Sequence, residues 1–375
     1  MVEVKGPSML EKVCKLSRDF EIDGEVIGAT QNKNGYVNTT YIVEVVNTHG
    51  EKNRYVMQHI NNKVFADIDA LIANYQFVCN YFNDENVCSS ISVPRLINHK
   101  SGNSFVKDEN GFWRMTECYE NIYTLDIPTN TKVFYLAGNY FGRFIKEMSN
   151  VDVLDMCETI PDFHNTYKRY KNLEAAITAD PYNRVKDVES EIGFIRENID
   201  SVRAIANDLE CGAIPTRITH NDTNLNNILF DKNTNKPVAI IDLDTVMPSS
   251  ALYDYGDSLR IGTNSVKDDE TDISRVFCRL DYYEAYTNGW LKACGDILTE
   301  REIELLPQAS TTITMEDGIR FLEDYINGDT YYKINYPRQN LDRSRTQLAL
   351  VRDMINNRDK IIKITDRLLN ELGLN

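Results

Sequence analysis

The sequence has no paired-cysteine motif. Its eight cysteines are scattered along 375 residues, with no Cys-x-x-Cys and no histidine partner at zinc-ligand spacing. That excludes a disulfide framework or a zinc module, and the thiols read as reduced, apolar filler in a cytoplasmic protein. Positive charge is also scarce: 41 Lys and Arg against 57 Asp and Glu leave a formal net charge of −16. Broad binding to nucleic acid or to an anionic membrane is therefore not expected. No apolar run approaches the ~20 residues that span a bilayer. The opening segment, Met1 to Leu16, is too polar for a secretory signal. Internal repeats and low-complexity tracts are missing as well. What remains is a chain of ordinary globular composition, long enough for two lobes around a sizeable core. Oligomeric state leaves no trace in the sequence.

The rest of the chain is organised around Arg217 to Thr245, RITHNDTNLNNILFDKNTNKPVAIIDLDT. It reads as strand, loop, strand, turn, strand: Ile218-Thr219, then His220 to Asn227, then Ile228 to Phe230, then Val238 to Leu243. The loop fits His-x-Asp-x-x-x-x-Asn, and an apolar strand ending in Asp242 follows about fifteen residues later. Phosphoryl transfer needs a base in line with the γ-phosphate and oxygen ligands that hold Mg²⁺ between the phosphates. Asp222 suits the base, and Asn227 and Asp242 suit the metal. Asp and Asn are common turn residues, so it is the added strand and its terminal Asp that give the pattern its weight.

In chain order, residues 8–19 read as a short helix and Glu25 to Val46 as a hairpin turning at Gln31 to Gly35. Backbone N–H groups of such a turn can cradle phosphate, which makes Gly35 a cofactor-contact candidate. Arg54 to Gln58 is the next strand. A kinase carries a phosphate-pairing Lys near this point. Here the place holds Gln58, with Lys63 as a stand-in. An amphipathic helix from Phe65 to Phe82 lacks a Glu to pair with such a lysine, and Gln76 is its inward polar candidate. Strands over 93–97, 104–106 and 111–115 complete one sheet. Glu117, Cys118 and Tyr119 connect to a second lobe and are candidates for adenine contacts. Helices are expected over 131–149, after Pro161, over 184–208, 274–293 and 309–327, and towards the C-terminus. Asp254 and Asp257 are candidate buried anchors for the catalytic-loop backbone.

The loop and Ile241-Asp242-Leu243-Asp244 resemble the aminoglycoside phosphotransferase and choline kinase superfamily. The longer wording IPDFHNT (160–166), THNDTNLNN (219–227), IDLDTVMP (241–248), LYDYGDSLR (252–260) and GDTYYKINYPRQNLDRSRTQLALV (328–351) resembles the bacterial N-acetylhexosamine 1-kinases. The resemblance implies an α+β, protein-kinase-like bilobal fold. A small antiparallel-sheet lobe (1–118) would bind the nucleotide, and a larger, mostly helical lobe (119–375) would carry catalysis and substrate. It implies ATP and Mg²⁺ as cofactors and phosphorylation of the anomeric hydroxyl of N-acetylglucosamine or N-acetylgalactosamine. Asp222 would be the general base, and Asp242 would touch both metal and sugar. Asp244, Arg320, Tyr331 and His164 would be sugar contacts. Two alternatives stay open: a kinase of another small alcohol, such as an aminoglycoside, choline or another sugar, and an inactive kinase fold serving as a binding module.

Overall fold

The computed structural model describes residues 8–32, 38–61, 65, 67–87, 89–109 and 111–374. Gly35 and Lys63 lie outside them. Helix α1 (Met9–Ser17) starts at a capping box in which Ser8 and Glu11 satisfy each other's backbone N–H. Strands β1 (Glu25–Asn32), β2 (Thr39–Val46) and β3 (Lys52–Ile60) follow, then helix α2 (Ile68–Asn83), β4 (Leu96–Ile97), β5 (Phe105–Asp108) and β6 (Gly111–Glu117). The sheet runs β1-β2-β3-β6-β4, with β5 also on β6, and every pairing is antiparallel. The register sets Gln58 of β3 opposite Arg114 of β6. Helix α2 buries Ile68, Leu71, Ile72, Tyr75, Val78, Cys79 and Phe82, the stripe expected from its periodicity.

Beyond β6 the chain is mostly helical. Strand β7 (Ile122–Tyr123) leads into α3 (Thr131–Met148), α4 (Thr166–Ala179), α5 (Glu189–Asn198) and α6 (Ala204–Glu210). Two small ribbons follow, β10-β9-β7 and β11-β8, built from β8 (Arg217–Thr219), β9 (Ile228–Asp231), β10 (Pro237–Ile240) and β11 (Met247–Ser249). The helices α7 (Ala251–Thr263), α8 (Leu280–Cys294), α9 (Glu300–Ile326), α10 (Gln339–Asn356) and α11 (Arg358–Leu372) complete the chain. One core joins α3, α7, α8 and α9 to the ribbons through Phe134, Phe141, Tyr255, Trp290 and Ile313, all but fully buried. Helices α3 and α8 approach so closely that a Cβ on Gly289 would sit 2.1 Å from the Tyr135 carbonyl oxygen. No helix among the described residues is long and apolar enough to cross a membrane.

Four local expectations change. The helix expected over 184–208 is broken into a short 3-10 turn, α5, a second 3-10 turn and α6. Buried Ile199, Val202 and Ile205 recur every third residue, which suits the tighter 3-10 winding there. The helix expected from Ser274 begins instead at Leu280, because Cys278 bridges Asn264 and donates its N–H to Asp353 at 2.8 Å. Phe277, within the span expected to be helical, is 52 % exposed. Helix α9 starts at Glu300 and runs through Pro307, nucleated upstream by the Thr299–Glu302 capping box. The strand expected to reach Leu243 stops at Ile240.

Candidate active site

The loop from His220 to Asn227 joins β8 to β9 and is held from behind by α7. Asp254 accepts the backbone N–H of His220 at 2.8 Å and of Asn221 at 2.7 Å. Asp257 accepts that of Thr223 at 2.9 Å. Ser258 donates its hydroxyl to the Thr223 carbonyl at 2.9 Å. Both aspartates therefore act as the backbone anchors expected of them. Asn221 takes a left-handed φ of 61°, which Asn tolerates better than most residues, and its side-chain amide donates to the Thr245 carbonyl at 3.0 Å. His220 is buried between Phe141 and Phe144. Its Nε2 donates to the Ile241 carbonyl at 3.0 Å, so its Nδ1 is left to accept the Asp222 N–H at 3.3 Å. Burial pushes this imidazole down to about 4, matching the neutral tautomer its partners require.

At the mouth of the loop, Asn227 donates its amide to the Asp222 carbonyl at 2.9 Å and to Asp222 Oδ2 at 3.1 Å. Asn224 donates to Asp222 Oδ1. Burial, reinforced by the charge of Asp257, pushes the Asp222 carboxyl up to about 6. Asp242 follows β10 with a left-handed φ of 59°. It is open to solvent but hemmed in by protein. That crowding, with the charges of Asp244 and Asp222, pushes it up to about 7. Asn227 thus bonds Asp222 directly, and Asp242 lies near enough for the Asp222 charge to act on it. The amide orientation of Asn227 leaves its Oδ1 without a donor among the described residues. Uncompensated carboxylate and amide oxygens are the donors a hard divalent cation prefers, so these residues fit Mg²⁺. No cluster of three or more His, Cys, Asp or Glu that could hold a metal forms among the described residues. An ion here would therefore take few protein ligands, which is how Mg²⁺ is commonly held beside substrate phosphates.

The remaining candidates divide. His164 is 6 % exposed and lies behind the loop. Its Nε2 meets the Asn221 carbonyl at 2.9 Å and its Nδ1 meets Glu316 Oε1 at 3.1 Å. Both partners are acceptors, so both nitrogens donate and the ring is an imidazolium. Burial disfavours that charge, but Glu316 outweighs it and holds the group above its ordinary value. Both ring nitrogens are thus taken up, one by the loop and one by α9. Asp244 is 3 % exposed and is gripped by Arg114 and by Asn38. Gln58 accepts from Arg114 and donates to Thr40. Gln76 bonds Ser104, and its neighbour Tyr75 is the α2 residue that faces Arg114.

Arg320 lies 3.3 Å from Asp317 and near the rings of Phe163 and Tyr332. Tyr331 is 63 % exposed and stands edge-on to Tyr332, with ring centroids 4.8 Å apart. Asp317 also meets Arg260 at 2.9 Å, and Arg260 meets Asp257 at 3.3 Å. A chain of charges therefore links Arg320 to the anchor of the catalytic loop. Glu117, Cys118 and Tyr119 border a cleft of about 440 Å³ with Asn53, Arg54, Tyr55 and Glu120.

The profile of the phosphotransferase enzyme family, APH, matches residues 28–294. The chain belongs to that family. The fold of this phosphotransferase is similar to that of an aminoglycoside phosphotransferase from Alicyclobacillus acidocaldarius, at 11 % identity over 99 % of each chain and a TM-score of 0.57. It is also similar to a spectinomycin phosphotransferase solved with ADP and spectinomycin, at 10 % identity over 95 % of this chain and 100 % of that one, with a TM-score of 0.58. A choline kinase from Cryptosporidium parvum gives 13 % identity over 97 % of each chain and a TM-score of 0.54. The phosphotransferase accordingly has the expected protein-kinase-like architecture, an antiparallel-sheet part followed by a mostly helical one.

Proposed function

We propose that this phosphotransferase is an ATP- and Mg²⁺-dependent kinase that phosphorylates the anomeric hydroxyl of N-acetylhexosamines. The observation that carries the chemistry is the pairing of Asp222 with Asn227 beside Asp242. The sugar assignment draws on the sequence wording over 160–351 and on the Arg320–Tyr331 region next to the loop anchors. Asn227 and Asp242 would hold Mg²⁺, which when bound neutralises charge on the phosphates. Asp222 accepts the proton of the sugar hydroxyl as that oxygen attacks the γ-phosphorus and the bond to the β–γ bridging oxygen breaks, releasing ADP; its raised pKa makes it a competent base near neutral pH. Asn224 and Asn227 fix the carboxylate for that proton. Tyr331 and Arg320 would orient the sugar. Glu117, Cys118 and Tyr119 would receive the adenine through backbone groups. We set the lobe boundary after residue 118, in line with the end of β6 at Glu117 and the pairing of Ile122 with β9.

The test is ADP release from ATP and Mg²⁺ with N-acetylglucosamine, N-acetylgalactosamine, glucose, choline and kanamycin in parallel, and with Asp222→Asn as control. Turnover confined to the N-acetylhexosamines and lost in the variant is expected, and a methyl glycoside should be inert. Turnover with kanamycin or choline alone would overturn the sugar assignment in favour of the second reading, a kinase of a cationic small alcohol. The aminoglycoside phosphotransferase and choline kinase of similar fold are what favour that alternative.

A further inference from the structure

Strand β3 presents a neutral amide, Gln58, at the place where a kinase carries a phosphate-pairing lysine. An amide cannot balance the charge of a polyphosphate, so the fold either lacks that cation or takes it from elsewhere. The register pairs Gln58 directly with Arg114 of β6. Arg114 reaches back across the pair: its Nε donates to Gln58 Oε1 at 3.0 Å and its Nη2 donates to the same oxygen at 2.8 Å. The far edge of the guanidinium forks onto Asp244, with Nη2 to Oδ2 at 2.8 Å and Nη1 to Oδ1. Tyr75 of α2 lies under its face, 4.1 Å from the guanidinium carbon to the ring centroid. In kinases that helix supplies the glutamate partner of the lysine. Here it supplies an aromatic ring, and the carboxylate comes from the Asp242-Leu243-Asp244 segment.

We infer that Arg114 is the cation that receives the nucleotide phosphates, moved one strand across the sheet from the lysine position. The inference rests on the kinase reading above. Arg114 is 0 % exposed, and a cation buried that deeply is unfavourable unless it is paired. Asp244 pairs it, and Gln58 and Tyr75 fix its plane. Of its five N–H groups, one on Nη1 has no acceptor among the described residues. A planar, preoriented guanidinium with a free N–H, close enough to Asp242 for the two charges to act on each other, is suited to a phosphate oxygen. Asp244 then serves as its carboxylate partner, which accounts for its burial.

The alternative is that Arg114 only latches β6 to the Asp244 segment. The two differ in which ligands they affect. A latch would weaken every ligand of the cleft alike, whereas a phosphate cation acts in proportion to phosphate charge. The experiment is calorimetric titration of ATP, ADP and adenosine, without Mg²⁺, into wild type, Arg114→Gln, Arg114→Lys and the double variant Gln58→Lys/Arg114→Gln. Arg114→Gln should bind ATP about ten- to a hundredfold more weakly, ADP less so, and adenosine within about twofold of wild type. The double variant returns the charge to β3 and should recover most of the ATP affinity. Arg114→Lys should lie between. Unchanged ATP affinity in Arg114→Gln, or equal weakening of ATP and adenosine, would overturn the inference, as would a well-folded double variant with no recovery. Wild type that binds none of the three would overturn the kinase reading itself.

Discussion

Asp324 offers a sharp test of how the Tyr331 segment is held. Its carboxylate is 5 % exposed at the end of α9. Oδ1 accepts the backbone N–H of Thr330 at 2.9 Å and of Tyr331 at 2.8 Å. Oδ2 accepts that of Tyr332 at 2.9 Å and the Asn340 side-chain amide at 2.8 Å. All four partners are donors. In Asp324→Asn one oxygen becomes an NH₂ group, and whichever way the amide is flipped it faces two of those donors. Two charge-assisted hydrogen bonds are lost, each worth about 1.5–3 kcal/mol, and local relaxation recovers part of the loss. A net destabilisation of about 3 kcal/mol is expected, read as a lower midpoint in urea unfolding. If the proposed sugar site is right, KM for the N-acetylhexosamine should rise roughly tenfold, equivalent to about one hydrogen bond, because the freed segment carries Tyr331 and Tyr332, with KM for ATP little changed. An unchanged unfolding midpoint would refute the donor-only reading of this nest. A normal sugar KM in a destabilised variant would detach the Tyr331 segment from the substrate site.

Asp222→Asn should lower kcat about a hundredfold or more while ATP binding by calorimetry persists, since the base is lost and the metal-side oxygens are kept. With the Asp222 carboxyl raised to about 6, protonation should disable the base below that pH. kcat/KM should then fall on the acid side of pH 6, and a flat profile between pH 7 and 5 would exclude it as the titrating base. His164 is held above its ordinary value, so its support of the fold is complete below about pH 6.5 and is lost as pH rises through its folded value. The stability gap between wild type and His164→Gln should therefore narrow towards alkaline pH; a gap that widens would mean the ring is neutral. Gly289→Ala should destabilise by about 1–3 kcal/mol or more, because its methyl meets the Tyr135 carbonyl, and a wild-type thermal midpoint would refute that contact.

The loop is legible in the sequence because its polar residues are concentrated in one short stretch between two apolar strands. Asp222, Asn227 and Asp242 are fixed relative to one another by two small ribbons, and the apolar strands that make the ribbons are visible as runs of Ile, Leu, Phe and Val. Asp254 and Asp257 were legible for a related reason: they follow directly on one face of α7, one turn apart. The periodicity of α2 identifies its buried face, yet it puts Tyr75 in the core and leaves Gln76 as the inward polar candidate. Apolar spacing identifies which residues are covered, but not which one covers a cation.

The partners the sequence concealed are separated along the chain and joined only by tertiary packing. Arg114 and Asp244 are 130 residues apart, and His164 and Glu316 are 152 apart. On a strand, Arg114 looks like any polar residue within an apolar run. It becomes informative only when the β3–β6 register places it against Gln58, the position where the expected charge is missing. The same holds for Glu316 and Asp317 on α9, which face inward to His164, Arg260 and Arg320. A missing charge in a motif is thus a reason to search the neighbouring strand for its replacement. If Arg114 fills that gap, the departure at Gln58 relocates the positive charge and leaves the requirement for it intact.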